Sequence, residues 1–171
     1  ILLSGLSSCK RNSDSGELSQ AINSNLLPGL SLRFVENVGQ TLPEVLYHVE
    51  GAGHTLLFES SRVIFNRTVG NAGPKEQVIL EFPGSRISAD IRGLKKQRGE
   101  THYYKGSDPS KWFTHIPSYG SLVYEGLYPG IDMICLGEQG IFKNEFHVAP
   151  GADPGSIRMS YKGACRLKMS E

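Results

Sequence analysis

The sequence predicts an all-β fold, an antiparallel β-sandwich or partly closed barrel of about ten short strands. Two observations carry this prediction. Short apolar runs alternate with polar residues along most of the chain, which is the pattern of half-buried strands. Turn residues separate these runs, since the 171 residues include 20 glycines and nine prolines. After residue 30 no stretch shows the periodicity of an amphipathic helix.

The first predicted strands form a series of hairpins. They are expected at residues 31–35, 45–50, 54–59, 62–66 and 77–82. Turn-forming residues separate them, including a Gly-Ala-Gly turn at 51–53 and Pro83-Gly84. The strand at 77–82 is the clearest of these, because its apolar residues occupy alternate positions and therefore share one face.

The later strands are expected at residues 88–92, 102–105, 116–123, 157–161 and 165–169. The basic stretch at 93–100 is predicted to be a loop. The strongest signal is a hairpin within residues 124–154, where two alternating apolar runs flank the turn at 137–140. A Pro-Gly pair and an Asp-Pro pair close the outer ends of this hairpin. We expect the segments at 157–161 and 165–169 to pair with each other.

The N-terminus divides into two segments ahead of the β module. Residues 1–9 end in Leu-Ser-Ser-Cys after a short apolar run, a pattern similar to the lipobox of bacterial lipoproteins, in which Cys9 receives the lipid. The alternative is an N-terminal segment with a chance cysteine. Residues 10–30 are a predicted polar tether and lead-in, and residues 31–171 form the β module. We expect the native chain to extend beyond both ends of this sequence.

The charge and hydropathy of the chain indicate which classes of partner it can bind. The net charge is +1 at pH 7, which does not indicate a nucleic-acid-binding face. No segment approaches the roughly 20 apolar residues of a membrane-spanning helix. Membrane attachment is therefore expected through a lipidated Cys9 alone, at the bacterial outer membrane or cell surface.

Four segments, in this order, resemble the uncharacterised N-terminal module of large bacterial surface proteins that carry β-propeller-type SBBP repeats. They are residues 34–40, residues 103–109 followed by Trp112, residues 123–132 and residues 146–154. The resemblance implies an exported protein with further β-rich domains downstream, but no activity. The chain departs from the family at Asn144 and Glu145, where an aromatic residue and an aspartate are common.

Four acidic residues are candidate site residues: Asp108, Asp132, Glu145 and Asp153. Asp132 and Glu145 could serve as the acid and the base or nucleophile of a glycoside hydrolase. Carboxylates also bind Ca²⁺, although no DxDxDG-like spacing is present. The structural alternative, which we favour, is that these side chains accept backbone N–H bonds in turns, as expected where Asp108 and Asp153 precede proline.

The histidines and cysteines predict neither a metal site nor a cofactor. The five histidines lie far apart in the sequence: His48, His54, His102, His115 and His147. His48 and His54 flank one turn and could converge, but two ligands do not make a site. Cys135 and Cys165 lie in predicted apolar strands, and we expect both to be small buried hydrophobic residues. A disulfide between them is the alternative.

Seven aromatic residues fall close together: Tyr103, Tyr104, Trp112, Phe113, Tyr119, Tyr124 and Tyr128. Most are expected in the core, because aromatic residues favour strands. Exposed members could stack on sugars or contact a protein. The leading functional prediction is a non-catalytic structural or interaction module that supports downstream β-repeat domains. The alternatives are a carbohydrate-binding module and, third, a glycoside hydrolase-like enzyme.

Overall fold

A computed structural model describes residues 32–51, 54–68, 75–86, 89–138 and 141–163. Its strands are β1 Phe34–Glu36, β2 Tyr47–Gly51, β3 His54–Glu59, β4 Arg62–Thr68, β5 Lys75–Glu81, β6 Asp90–Lys96, β7 Thr101–Tyr103, β8 Phe113–Ile116, β9 Ser118–Tyr128, β10 Ile131–Glu138, β11 Ile141–Val148 and β12 Ser160–Lys162. The helical segments of these residues are two short 3-10 turns, Pro109–Lys111 and Pro154–Ser156. Within the described ranges, no helix has the length and apolar character needed to cross a bilayer.

One antiparallel sheet follows the order β11-β10-β9-β1-β2-β3-β4-β5-β12, and β6 also pairs with β9. Tyr119 of β9 pairs with Phe34 of β1 and with Lys96 of β6, so β1 and β6 lie on opposite edges of β9. Leu122 likewise pairs with both β10 and β6. Strands β1 and β10 therefore follow one another along the same edge of β9. The sheet divides there into a β10 branch (β10 and β11) and a β1 branch (β1 to β5 and β12).

The two branches face each other across one hydrophobic core. Fully buried Tyr124 of β9 meets Phe82, just after β5, with ring centroids 6.0 Å apart. Phe142 of β11 contacts Phe58 on β3 and Phe65 on β4, with centroids 5.8 and 5.5 Å apart. An end strand of the sheet thus packs over the middle of the other branch, which makes the fold a partly closed barrel. The predicted all-β, antiparallel fold class is confirmed.

The β10–β11 hairpin is the element that the sequence predicts best. Its two strands pair in an unbroken antiparallel register along their whole length. Alternation directs Met133 and Cys135 into the core, where both are fully buried. Burial raises the pKa of the Cys135 thiol, which is the inert small hydrophobe that the sequence predicts. Cys165, its possible disulfide partner, lies outside the described residues.

The prediction for β6 was partly wrong. A strand at 88–92 and a basic loop at 93–100 were expected, but β6 extends to Lys96. Pairing with β9 continues through Gly93, over which the ring of Tyr119 lies closely. The lysines near the end of β6 led to the prediction of a solvated loop. Lysine is also common on edge strands, however, where it discourages pairing with other chains.

The pairing of the last strand with β5 was not predicted from the sequence. Strand β12 pairs with β5, with Tyr161 opposite Leu80. The segment at 165–169 lies outside the described residues, so its pairing with 157–161 stays a prediction. The pairing with β5 brings Tyr161 against the hydrophobic core, which accounts for the choice of partner.

Strands β7 and β8 form a separate two-stranded sheet beside the outer face of the β1 branch. Tyr47 and Val49 point into the core, so His48 between them points to the opposite face of β2. There the Tyr103 hydroxyl lies 2.7 Å from Nε2 of His48, which is only 2% exposed. This contact holds the β7–β8 hairpin against the sheet.

Candidate functional site

The β7–β8 hairpin contains a β-bulge that brings distant polar residues together. Thr101 pairs with Ile116 and Tyr103 with Phe113, so two residues of β8 face His102 alone. One of the two is His115, whose φ of 59° is left-handed. Histidine tolerates this conformation better than most residue types. The bulge therefore turns His115 toward the side of β7 that carries His102.

Glu100, His102 and His115 form a compact polar cluster on the hairpin surface. Nδ1 of His115 lies 2.5 Å from Oε2 of Glu100. The backbone N–H of His115 donates to Nδ1 of His102 at 3.3 Å, so that nitrogen is the unprotonated one of its ring. One potential ligand atom from each of the three side chains lies within 4.8 Å of the others. We call these three residues the imidazole–carboxylate cluster.

An aromatic pair, Tyr104 and Trp112, adjoins this cluster. The Tyr104 ring lies nearly parallel to that of His102, at an interplanar angle of 8° and a centroid distance of 6.0 Å. Trp112 meets Tyr104 edge to face, with centroids 5.2 Å apart. Its indole N–H donates to the carbonyl of Gly106 at 3.1 Å, which fixes the ring. Tyr104 is 64% exposed and Trp112 37% exposed.

The hydrogen bond between His48 and Tyr103 fixes the base of the hairpin. Burial lowers the pKa of His48, so its ring is neutral near pH 7 and Nε2 accepts from the hydroxyl. Burial and the nearby carboxylate of Glu50 raise the pKa of Tyr103 to about 12, which keeps the hydroxyl protonated as the donor. Both shifts favour the same donor–acceptor arrangement.

Asp108 and Asp153 have the structural role that the sequence predicts. Oδ1 of Asp108 accepts from the backbone N–H and the hydroxyl of Ser110 at 3.0 and 2.8 Å. These bonds lower the pKa of Asp108. Oδ1 of Asp153 accepts from the backbone N–H of Gly155 at 2.8 Å. Each aspartate caps a 3-10 turn that begins with proline, and the turn prediction is confirmed.

Asp132 and Glu145 lie on the same outer face of the β10–β11 hairpin. Asp132 pairs with His147, whereas Glu145 pairs with Ile134, so the two carboxylates are diagonal neighbours. Oδ1 of Asp132 accepts from the backbone N–H of Gly126 at 2.7 Å, beside the irregular register between β9 and β10. This carboxylate thus stabilises a bend in β9. The hydrolase assignment of the pair stays a prediction.

A family comparison adds to this geometry. The sequence model of a protein family described as a domain of unknown function, DUF7948, matches residues 34–171. The chain belongs to the DUF7948 family. No curated protein and no solved structure matches the chain. The DUF7948 match extends over nearly the same residues as the resemblance noted in the sequence.

In this DUF7948 domain His48 and His54 point to opposite faces of the sheet, so the convergence that the sequence left open does not occur. His48 points to the outer face of the β1 branch. His54 lies two positions before Leu56, a core residue, and therefore has the opposite orientation. The sequence could not show this, because the length of the intervening turn fixes the register of a hairpin.

The aromatic residues of the DUF7948 domain divide between core and surface. Tyr124 and Tyr128 are buried, and Tyr103, Phe113 and Tyr119 are partly buried. Only the aromatic pair, Tyr104 and Trp112, is exposed among the seven candidates, which all lie in described ranges. The sequence expectation that most of these residues lie in the core was wrong: Tyr124 and Tyr128 belong to the core, Tyr119 packs against it, and the other four are not part of it.

The sequence did not reveal the imidazole–carboxylate cluster. His102 and His115 are separated by a loop, and neither forms a short metal-binding motif. The available signal was the alternation of Glu100, just before β7, with His102 on β7, opposite a histidine on the next strand. This signal could not be interpreted without knowing where the bulge in β8 lies, because the bulge decides which residues face His102. Cys9, the predicted lipid attachment site of the DUF7948 protein, lies outside the described residues.

Proposed function

We propose that the domain is a non-catalytic interaction module of a bacterial cell-envelope lipoprotein, and that it supports neighbouring β-rich domains of the same protein. The observation that carries this proposal is the exposed aromatic pair on a hairpin outside the main sheet. Tyrosine and tryptophan are enriched at the centres of protein interfaces, because they combine large apolar area with a polar group. Tyr104 and Trp112 are thus the proposed contact residues.

The hydrogen bonds that the acidic residues accept from the backbone support a non-catalytic role. Asp108, Asp132 and Asp153 each accept a hydrogen bond from a backbone N–H. A carboxylate that holds a turn or a bend has one oxygen committed to the fold, whereas a general acid or nucleophile must reach its substrate. Three of the four candidate carboxylates therefore have a structural role, since each stabilises a turn or a bend.

The envelope location rests on the N-terminal sequence and on the family resemblance. Leu-Ser-Ser-Cys is similar to a lipobox, and the polar residues after Cys9 suit a tether. The resemblance to modules that precede SBBP repeats suggests β-rich neighbours as the partners. Replacing Cys9 by Ser should release the protein from the membrane fraction. Mass spectrometry that finds no lipid on Cys9 of the native protein would remove this part of the proposal.

The docking role can be tested in the full-length protein. We expect Tyr104→Ser to lower the unfolding midpoint of the neighbouring domain by roughly 2–8 °C, the shift that a loss of about 1 kcal/mol produces in a small domain. Differential scanning calorimetry of the intact protein measures it. Leu42→Ser is the matched control, since Leu42 is also exposed but lies before β2, outside the hairpin. Equal midpoints for all three proteins would contradict docking through the hairpin.

Carbohydrate binding is the second candidate function. The perpendicular rings of Tyr104 and Trp112 form a corner, with interplanar angle 89°, in which a sugar ring can stack on one aromatic face and meet the edge of the other. A glycan array followed by titration of Trp112 fluorescence tests it. We expect a hit whose affinity falls at least tenfold in Tyr104→Ser. An array without hits would leave the protein-docking role as the sole proposal.

A further inference from the structure

We propose that the imidazole–carboxylate cluster binds a divalent transition-metal ion of the zinc type. Its members supply two imidazole nitrogens and one carboxylate oxygen within 4.8 Å of one another. This donor set is one that Zn²⁺ uses in proteins, usually with a fourth position left to water or substrate. Mg²⁺ and Ca²⁺ prefer oxygen ligands, so the two histidines favour a transition metal.

The nitrogen atoms are placed suitably for this role. In a tetrahedral zinc complex, ligand atoms about 2.0–2.1 Å from the ion lie roughly 3.3 Å from each other. Nδ1 of His115 and Oε2 of Glu100 are 2.5 Å apart, so a small side-chain rotation opens the required space. Their side chains are 73% and 51% exposed, which leaves room for that rotation and for entry of the ion. Nδ1 of His102 accepts from the backbone N–H of His115 at 3.3 Å, so a metal bound through this nitrogen would replace that hydrogen bond.

The surroundings of the cluster limit the movement of its ligands. Tyr104 stacks along the ring of His102, and the His102 and His115 rings meet edge to face with centroids 5.2 Å apart. Tyr103, between His102 and Tyr104, anchors the same strand to buried His48. His102 belongs to β7 and His115 to β8, so one ion would be bound by both strands. The site would therefore join β7 to β8 and make the hairpin more rigid.

This inference is independent of what the aromatic pair contacts, and its test does not require a partner. The 171-residue chain, prepared without a histidine tag, is titrated with Co²⁺ and followed by visible absorption, and then with Zn²⁺ in competition. We expect one ion per chain, with Zn²⁺ displacing Co²⁺, and shifts of the His102 and His115 imidazole signals in NMR spectra. Absence of saturable binding at one ion per chain would overturn the proposal.

Three variants and one control locate the ion. His102→Gln, Glu100→Gln and His115→Asn should each weaken Zn²⁺ binding at least tenfold. Asparagine is chosen for position 115 because it tolerates the left-handed backbone there, which keeps the hairpin folded. His147→Asn is the control: His147 lies 4.0 Å from Glu145 on another exposed strand. Weakening by His147→Asn as large as that by His115→Asn would also overturn the proposal.

Discussion

Gly93 illustrates how a single close approach can determine a residue type in this fold. A Cβ built at Gly93 would lie 2.3 Å from Cγ of Tyr119, because the tyrosine ring covers the glycine. The N–H of Gly93 also donates to the hydroxyl of Tyr47 at 3.2 Å. Tyr47 and Tyr119 in turn meet edge to face, with centroids 5.9 Å apart. The absence of a side chain at position 93 thus allows two tyrosines to close one end of the core.

We predict that Gly93→Ala lowers the free energy of unfolding by about 1–3 kcal/mol, because the methyl group forces Tyr119 away from its contacts. Urea denaturation measures the change. Gly120→Ala is the control on the facing strand, since its Cβ would meet the flexible Gln97 side chain at 3.4 Å. The explanation fails if the two substitutions destabilise the protein equally.

The sequence predicts individual residues well where their roles are local. Asp108 and Asp153 form turns with residues two positions later, so the Asp-Pro pairs alone indicate their function. Gly93 and His115 could not be assigned in this way. Their roles depend on Tyr119 and on the bulge in β8, and both become visible only when separate strands are aligned.

The β7–β8 hairpin is attached to the sheet in part by one buried hydrogen bond. His48 is almost inaccessible to solvent, and its Nε2 atom faces the Tyr103 hydroxyl. Burial lowers the pKa of His48 from its ordinary value of 6.5, while the carboxylate of Glu50, 3.8 Å from Nε2, acts in the opposite direction. Protonation of His48 removes the acceptor and places a charge in a buried site.

We predict that stability depends on pH through His48. Its pKa is lower in the folded protein than in the unfolded chain, so the unfolded chain binds more protons in acid. This contribution to stability is complete above pH 6.5 and decreases as the pH falls below 6.5 toward the pKa of the folded state. Urea denaturation of the native protein and of His48→Gln over this range measures it. Parallel pH profiles for the two proteins would contradict the prediction.

A strand is easier to predict from the sequence when its partner strand lies close to it in the chain. The β10–β11 hairpin was predicted because both strands and their turn are contiguous in the sequence. Strand β6 was predicted too short, and the pairing of β12 with β5 was not predicted. In both cases the partner strand is remote: β9 for the first and β5 for the second. Local alternation predicts that a strand exists, but not its partner.

The whole domain is held together by contacts between the two branches of the sheet. Phe142 comes from the last strand of the β10 branch and contacts Phe58 and Phe65 in the middle of the β1 branch. We therefore expect the two branches to unfold as a single cooperative unit. The all-β class follows from composition and alternation, but the division of the sheet at β9 does not, because one strand there pairs with β1, β6 and β10.

We predict that Phe142→Ala lowers the free energy of unfolding by about 3–5 kcal/mol, through lost apolar contact and the cavity that remains. Hydrogen exchange should accelerate in β3 and β4 as well as in β10, because both branches lose the same contact. Val148→Ala, at the exposed end of the same strand, should have little effect. Faster exchange confined to β11 would show that the branches unfold separately.

The position of β9 in the chain has a consequence for biosynthesis. Residues 118–128 are translated after β1 to β8, yet they complete the edge of β1 and provide the partner of β6. Until the ribosome has passed this point, the earlier strands keep unsatisfied backbone groups and apolar side chains in contact with solvent. Nascent chains shorter than this are thus expected to need chaperone protection, and chains terminated before residue 128 are expected to aggregate.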